Sequence, residues 1–499
     1  MKGKFIVLAI VTMLLVPLLA ACGGDTGSNS GSQLTAGATT AAAQPTDTTA
    51  ASGAQPTDTA AVGTGAQPTD TPAAAAQATN TPAQAAAGAN TSPTPEPTDT
   101  AIAGRTQLSL WTHSAGNASE LTLLKQEIAD FNKAQSQYQI VYQAFPQGSY
   151  NDSIAAASVA NSLPCIIDMD GPTVPNFAWS KYIIPLPDTN NTLAGFNSAA
   201  LGKFQDKTYS FGQFDVAITV FSRKSILNQY NIRIPTIDQP WTADEFNKAL
   251  DTLKASGKFE YPLDINAQNT GEWWPYAYSP MLQSFGGDLV DRKTYTTAEG
   301  ALNGPEAKAW GAWFQNLFKN KYVNPKPADD QAFLQGRTAL WYNGSWGADD
   351  VVKKYGDDAL FLPPPDFGKG PKIGGASWQW GISSSCKNPD GAWQFLQVVA
   401  KPENVAQYSK LTGLIPTRQD AAAMTDKYGP SGTYQIFFQM AQKFAVLRPP
   451  TPGYLIISSQ FEKAGESIRD GADVQNKLDD AVDAIDRDIQ DHNYYGFKK

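Results

Sequence analysis

Sorted into apolar and polar positions, the chain falls into three unequal stretches. Phe5 to Leu19 is an almost unbroken apolar run behind the basic Met1-Lys2-Gly3-Lys4. That is the layout of a secretory signal, too short and wrongly flanked for a lasting membrane span. From 23 to 104 the bulky apolar residues are isolated and follow no period. From about 105 to 499, short alternating runs and longer helical stripes take turns. Gln107-Leu108-Ser109-Leu110-Trp111, Gln139 to Ala144 and Cys165 to Met169 read as strands. Asn117-Ala118-Ser119-Glu120 predicts a capped helix start, ahead of Leu121, Leu124, Ile128 and Phe131 on one face. Thr242-Ala243-Asp244-Glu245 predicts another, with Phe246, Leu250 and Leu253 turned inward. Pro305 opens a helix carrying Trp310, Trp313, Phe314 and Leu317, in which the two tryptophans fall at core spacing. Asn388-Pro389 opens one burying Ala392, Phe395, Leu396 and Val399. Val474, Leu478, Ala481, Val482, Ile485 and Ile489 mark a long amphipathic helix near the C-terminus. Alternating strands and helices predict α/β domains with largely parallel sheets. Ligands of such sheets sit at the carboxyl ends of the strands.

Composition changes this picture in several places. Residues 23–104 hold no Lys or Arg, and Ala-Gln-Pro-Thr-Asp-Thr recurs at 43–48, 54–59 and 66–71. So little apolar area cannot offset chain entropy, so a disordered tether is expected there. The apolar run before it ends in Leu19-Ala20-Ala21-Cys22-Gly23, which resembles the bacterial lipobox; lipidation of Cys22 is then expected, against the alternative of a plain signal with a chance cysteine. The net charge of −9 includes six acids in the tether, which leaves the remainder mildly acidic and without a basic stripe for nucleic acid. All twelve Trp lie beyond the tether, and indole faces are what sugar rings stack on. Cys165 and Cys386 are either one disulfide or two buried thiols. With only His113 and His492, zinc signatures cannot be assembled, and no G-x-S-x-G elbow, Walker loop or dinucleotide fingerprint occurs. No cofactor is implied, and the common catalytic signatures are missing.

Several blocks, taken in order, resemble the family 1 extracellular solute-binding proteins, the maltose-binding-protein-like receptors of ABC importers. They are Leu108-Ser-Leu-Trp-Thr-His113, Pro164 to Pro172, Tyr209 to Asp215 with Val220-Phe-Ser-Arg-Lys224, and Trp241 to Phe246. Ala332 to Leu340, Asn343-Gly-Ser-Trp346 and Gly374-Gly-Ala-Ser-Trp378 complete the series over 105–499. Phe221-Ser222 departs from the family's usual Tyr-Asn, and the Trp273-Trp274 region is not a family constant. The resemblance implies a two-lobed periplasmic-binding-protein-like α/β fold with a hinge and an interlobe cleft. The first lobe is expected near 105–205 and 375–430, the second near 206–374 and 431–499. It also implies a monomeric receptor on the outer face of the cell membrane, held by a lipid anchor. Such a receptor hands a mono- or oligosaccharide to ABC permease subunits.

Within that frame the candidate ligand residues follow from sugar chemistry, in which aromatic faces cover ring C–H groups and carboxylates accept hydroxyls. Asp168 and Asp170 share one face of a strand, and Asp170 opens the turn at its carboxyl end. Trp346 matches the family's stacking aromatic, and Trp378 follows a glycine-rich approach to a crossover. Glu272-Trp273-Trp274-Pro275-Tyr276 sets an acid among three aromatics, as either a sugar platform or a core corner. Trp111 and His113 close the first strand; Arg448, in a loop before two prolines, is a further candidate lining residue. Two rivals remain open: a glycan hydrolase using paired carboxylates, or a same-fold receptor for a polyol-phosphate, peptide or polyamine.

Overall fold

The computed structural model describes residues 101–375 and 377–498. The expected secretory signal, Cys22 and nearly all of the expected tether lie outside the described residues. In chain order the strands are β1 (Thr106–Ala115), β2 (Tyr138–Pro146), β3 (Ile166–Asp170), β4 (Ile183–Ile184) and β5 (Leu201–Phe204). Next come β6 (Lys207–Phe211), β7 (Phe214–Asp215), β8 (Ile218–Arg223), β9 (Leu263–Asp264) and β10 (Leu340–Gly344). Last are β11 (Ala359–Leu362), β12 (Ile373–Gly375), β13 (Trp378–Ser383), β14 (Ile415–Pro416) and β15 (Ala445–Leu447).

A seven-stranded sheet in the order β2-β1-β3-β13-β6-β5, with β4 beside β13, builds the first lobe. Its two faces carry separate cores, one around Leu110, Ile140, Ile166 and Phe395, the other around Tyr150, Ile167 and Met169. A four-stranded sheet, β11-β8-β10-β9, builds the second lobe. Its core gathers Val220, Leu250, Trp310 and Phe461 with Ile485 and Ile489 of the helix Val474–Asp491. Two short ribbons, β7 with β14 and β12 with β15, complete the pairing.

The sheets are mixed, which corrects the expectation of largely parallel ones. β1 runs parallel to β2 and β3, but β13 is antiparallel to β3, and β6 to β13. The reason lies in the connections. β13 returns to the first lobe from the second and so enters the sheet from the opposite end. β5 and β6 are joined by Gln205-Asp206, both at positive φ (47° and 62°), a two-residue loop that only an antiparallel pair permits. That hairpin also carries the first sheet past the expected boundary near 205, to Phe211.

Local signals placed the helices. Asn117 caps Ala118–Ala134, and Thr242 with Glu245 forms a reciprocal capping box on Ala243–Ala255. Pro305 and Pro389 stand at the first turns of Pro305–Lys319 and Pro389–Val399, where a missing N–H costs nothing. Trp310 is fully buried, as its spacing predicts. Cys165 and Cys386 form a disulfide, tying the start of β3 to the turn after β13. Among the described residues, no helix is long and apolar enough to cross a membrane.

Candidate functional site

The carboxyl ends of β1 and β3 meet at a polar recess. It is lined by Thr112, His113, Ser114, Glu120, Asp168 and Gln213, with Trp378 and Tyr408 at its walls. The register of β1 on β3 sets Trp111 against Ile167, so Thr112 and His113 arrive beside Asp168. Asp168 accepts from Thr112 Oγ1 at 2.9 Å, from the His113 backbone N–H at 3.2 Å and from His113 Nδ1 at 2.7 Å. On the other side of the ring, His113 Nε2 lies 3.3 Å from Glu120 Oε2. Glu120 also closes the cap at Asn117, so one residue starts the helix and faces the histidine. Burial alone would lower the pKa of His113. The charge and hydrogen bond of Asp168, joined by those of Glu120, outweigh it and hold the imidazole up to about 10.

Trp378 lies flat on that ring. The centroids are 3.9 Å apart and the planes differ by 7°. Tyr150 meets the indole edge-on at 5.7 Å and donates its hydroxyl to the carbonyls of Trp111 and Asp168. The pairing of β13 with β3 places Trp378 opposite Asp170. There the half-buried indole packs against the cores of both lobes. Trp378 therefore stands where the two cores meet.

The second cluster is centred on Arg448. Its guanidinium grips both oxygens of Asp170, at 2.6 and 2.7 Å, and reaches Glu272 at 2.6 Å. Glu272 also accepts from the hydroxyls of Tyr454 and Ser458, on the helix Tyr454–Arg469. Arg448 lies over the Tyr276 ring, 5.2 Å from its centroid. Asn176 adds a 2.8 Å hydrogen bond to the carbonyl of Pro452. Asp170 belongs to the first lobe, while Glu272 and the helix pack with the second. The cluster is a clasp between them. Asp170 and Glu272, expected as acceptors for ligand hydroxyls, here spend their lone pairs on Arg448, Tyr454 and Ser458.

The second lobe brings two half-buried indoles together. Trp346, just past the end of β10, lies 6.2 Å from Trp273 at 70°. Its ring covers Gly344 so closely that a Cβ there would stand 2.0 Å from it. Trp273 donates Nε1–H to the Tyr278 hydroxyl at 3.1 Å. Trp274 is a correction. It is 1% exposed, edge-on to Tyr278 at 4.9 Å and to Phe314 at 5.8 Å, inside the second core. Adjacent residues entering a helical turn point about 100° apart, so only one of the Trp273-Trp274 pair can face outward. Trp111 rests on Phe145 at 4.8 Å, outside the lining of the recess.

Glu120 and Gln213 line the recess without having been singled out from sequence. Glu120 carried a signal only as a helix cap. Gln213 accepts from Trp380 Nε1 at 3.3 Å and donates to Glu127 at 2.7 Å, partners that no local pattern announces. Glu127 itself is pushed up to about 8 by burial. No group of described residues has the composition of a metal site.

Comparison with known proteins supplies the context. Residues 126–435 match a family model described as "Bacterial extracellular solute-binding protein". Among solved structures, the cyclic alpha-maltosyl-1,6-maltose binding protein from Arthrobacter globiformis superposes with a TM-score of 0.65 at 20% identity. The match covers 78% of this chain and all of that one. The GacH receptor of Streptomyces glaucescens, solved unliganded and with acarbose, gives 0.65 at 20% identity, over 77% and 98% of the two chains. The maltose/maltodextrin-binding domain MalE from Bdellovibrio bacteriovorus, bound to maltotriose, gives 0.63 at 16%, over 77% and 100%.

Proposed function

From the premise that this chain belongs to the family of bacterial extracellular solute-binding proteins, we propose that it captures an uncharged carbohydrate between its lobes and delivers it to an ABC importer. The observation that carries the reading is the placing of Trp378. A half-buried indole at the junction of both lobes, beside a polar recess, offers a ring face and hydroxyl partners together. Trp346 and Trp273 offer a second aromatic surface on the opposite lobe. The superposable proteins named above are described with maltose-type sugars or acarbose, which supports the same ligand class.

Closure of the lobes on the sugar would be driven by the better contacts of the closed state. Lipidation at Cys22, the Ala/Thr/Pro-rich tether and release to membrane permease subunits complete the receptor as we read it, acting as a monomer. A hydrolase would need two carboxylates flanking a scissile bond; Asp168 and Asp170, two apart on β3, are instead bonded to Thr112 and His113 and to Arg448.

The test is a thermal-shift screen of the full-length protein against maltose, maltotriose, other sugars, polyols, amino acids and polyamines. A ligand that binds only the folded state raises the melting temperature by mass action, so micromolar affinity is visible at millimolar solute. A rise confined to one sugar series is expected. A rise with amino acids or polyamines, and none with sugars, would keep the fold and reject the ligand class.

A further inference from the structure

His113 has both ring nitrogens turned to carboxylates, Nδ1 to Asp168 at 2.7 Å and Nε2 to Glu120 at 3.3 Å. Ionised carboxylates only accept hydrogen bonds, so satisfying both requires both nitrogens to donate, and the ring is an imidazolium. The side chain is 6% exposed, which puts a cation inside the first lobe. A buried cation of this kind is kept only if its partners are fixed. Asp168 is fixed by Thr112 and by the β1–β3 register, and Glu120 by the helix start. The ring they hold has one large neighbour parallel to it, the indole of Trp378.

We propose that His113 is a positioning residue for Trp378: clamped at both edges, its ring is a rigid bed that fixes the indole face-on at the cleft floor before ligand arrives. The inference rests on the carbohydrate reading of Trp378 and assigns His113, Glu120 and Asp168 a role that needs no contact with ligand. Stacking on a charged ring holds the indole by cation–π attraction as well as by area. An aromatic fixed in its bound orientation loses less freedom on binding, and affinity rises accordingly. The groups facing His113 are Asp168 and Asp170 on β3, Glu120 on Ala118–Ala134, Tyr150 on Gln147–Val159 and Tyr408 on Pro402–Thr412. None of them is a second cation, and the two close carboxylates outweigh the cost of burial and keep the ring charged throughout the neutral range.

The experiment uses the full-length protein with His113→Gln, Glu120→Gln, Trp378→Phe and the double variant His113→Gln/Trp378→Phe. Nitrogen-15 spectra of His113 should show both ring nitrogens protonated at pH 8. An imidazolium in face contact quenches indole emission, so His113→Gln should brighten tryptophan emission, and the double variant should not. With maltotriose as probe, His113→Gln should weaken binding roughly three- to tenfold, the range expected for a stacked aromatic pair. Glu120→Gln, which frees one edge of the ring, should weaken it less. A neutral ring at pH 8, unchanged emission, or unchanged maltotriose affinity in a folded His113→Gln protein would each overturn the proposal. Should His113→Gln fail to fold, Glu120→Gln carries the affinity reading and the wild-type nitrogen-15 spectra carry the charge reading; an unchanged affinity or a neutral ring would still overturn the proposal. Absence of any sugar binding by the wild-type protein sinks the carbohydrate reading alone, because the ring nitrogens and the emission are read without ligand.

Discussion

His113 and Arg448 are both buried cations held between two carboxylates, yet they are assembled differently. The partners of His113 stand 7 and 55 residues away along the chain and belong to one lobe. Those of Arg448 stand 176 and 278 residues away, on elements of both lobes. The first cluster completes a local unit, a strand end followed by a capped helix, and serves the aromatic above it. The second has no local logic and is formed only when the two halves are in place. One buried cation can therefore stiffen a single lobe, whereas the other couples two.

The largest effect should come from breaking the clasp. Arg448→Met leaves the buried Asp170 and the half-buried Glu272 with no counter-charge, and a loss of about 3–5 kcal/mol is expected in urea unfolding. Arg448→Met/Asp170→Asn removes a cation and one anion together and should cost clearly less. Equal losses in the two proteins would show that unpaired charge is not what the clasp prevents.

The histidine cluster should reveal itself through pH. A folded-state value of about 10 against an ordinary 6.5 means that the native protein holds this proton more tightly than the unfolded chain. Its contribution is then complete below about pH 6.5 and falls away as pH rises towards 10, at up to about 1.4 kcal/mol per unit. Glu127, raised from 4.5 to about 8 by burial, adds a decline of the same sign between those values. Unfolding free energies from pH 6 to 9 are therefore best compared in a Glu127→Gln background. The slope should flatten when His113→Gln is added. A slope that survives both changes would place the proton elsewhere.

The smallest effect sharpens the comparison from the second lobe. Gly344→Ala puts a methyl where the Trp346 ring now lies, 2.0 Å from its nearest atom. Because that indole is half-exposed it can swing aside, so the stability change should stay under about 1 kcal/mol. Maltotriose affinity should drop roughly three- to tenfold if the displaced ring is a platform. Unchanged affinity would remove Trp346 from the site.

Much of the scaffold was legible because its signals are local. The three leading strands, the cap at Asn117, the box at Thr242 and Glu245, and the prolines at 305 and 389 depend on neighbours within a few positions. The direction of β13 was not, since a strand's partner is chosen by the fold and not by its own alternation. Within the candidate site, the aromatic residues were easier to read than the charged ones. Trp378 and Trp346 are both half-buried, while the buried Trp274 shows that two adjacent indoles cannot be assigned to one face from composition. An acid near tryptophans, such as Glu272, describes a buried ion cluster as well as a sugar site. The residue that decides between them, Arg448, is 176 positions away.

The disulfide and the β3–β13 pairing have a consequence for the order of events in making the molecule. Cys165 and Cys386 are 221 residues apart, and β3 cannot acquire its second neighbour until β13 has been synthesised. Until then its edge is unpaired. The second core is no earlier, because it needs Phe461 and Ile485 from the last helices. A ribosome therefore delivers most of this chain before either half can finish, and its native contacts are dominated by late, long-range closures that slow folding. Slow commitment of this kind leaves the chain extended for longer, which is compatible with the extracytoplasmic location that its family implies.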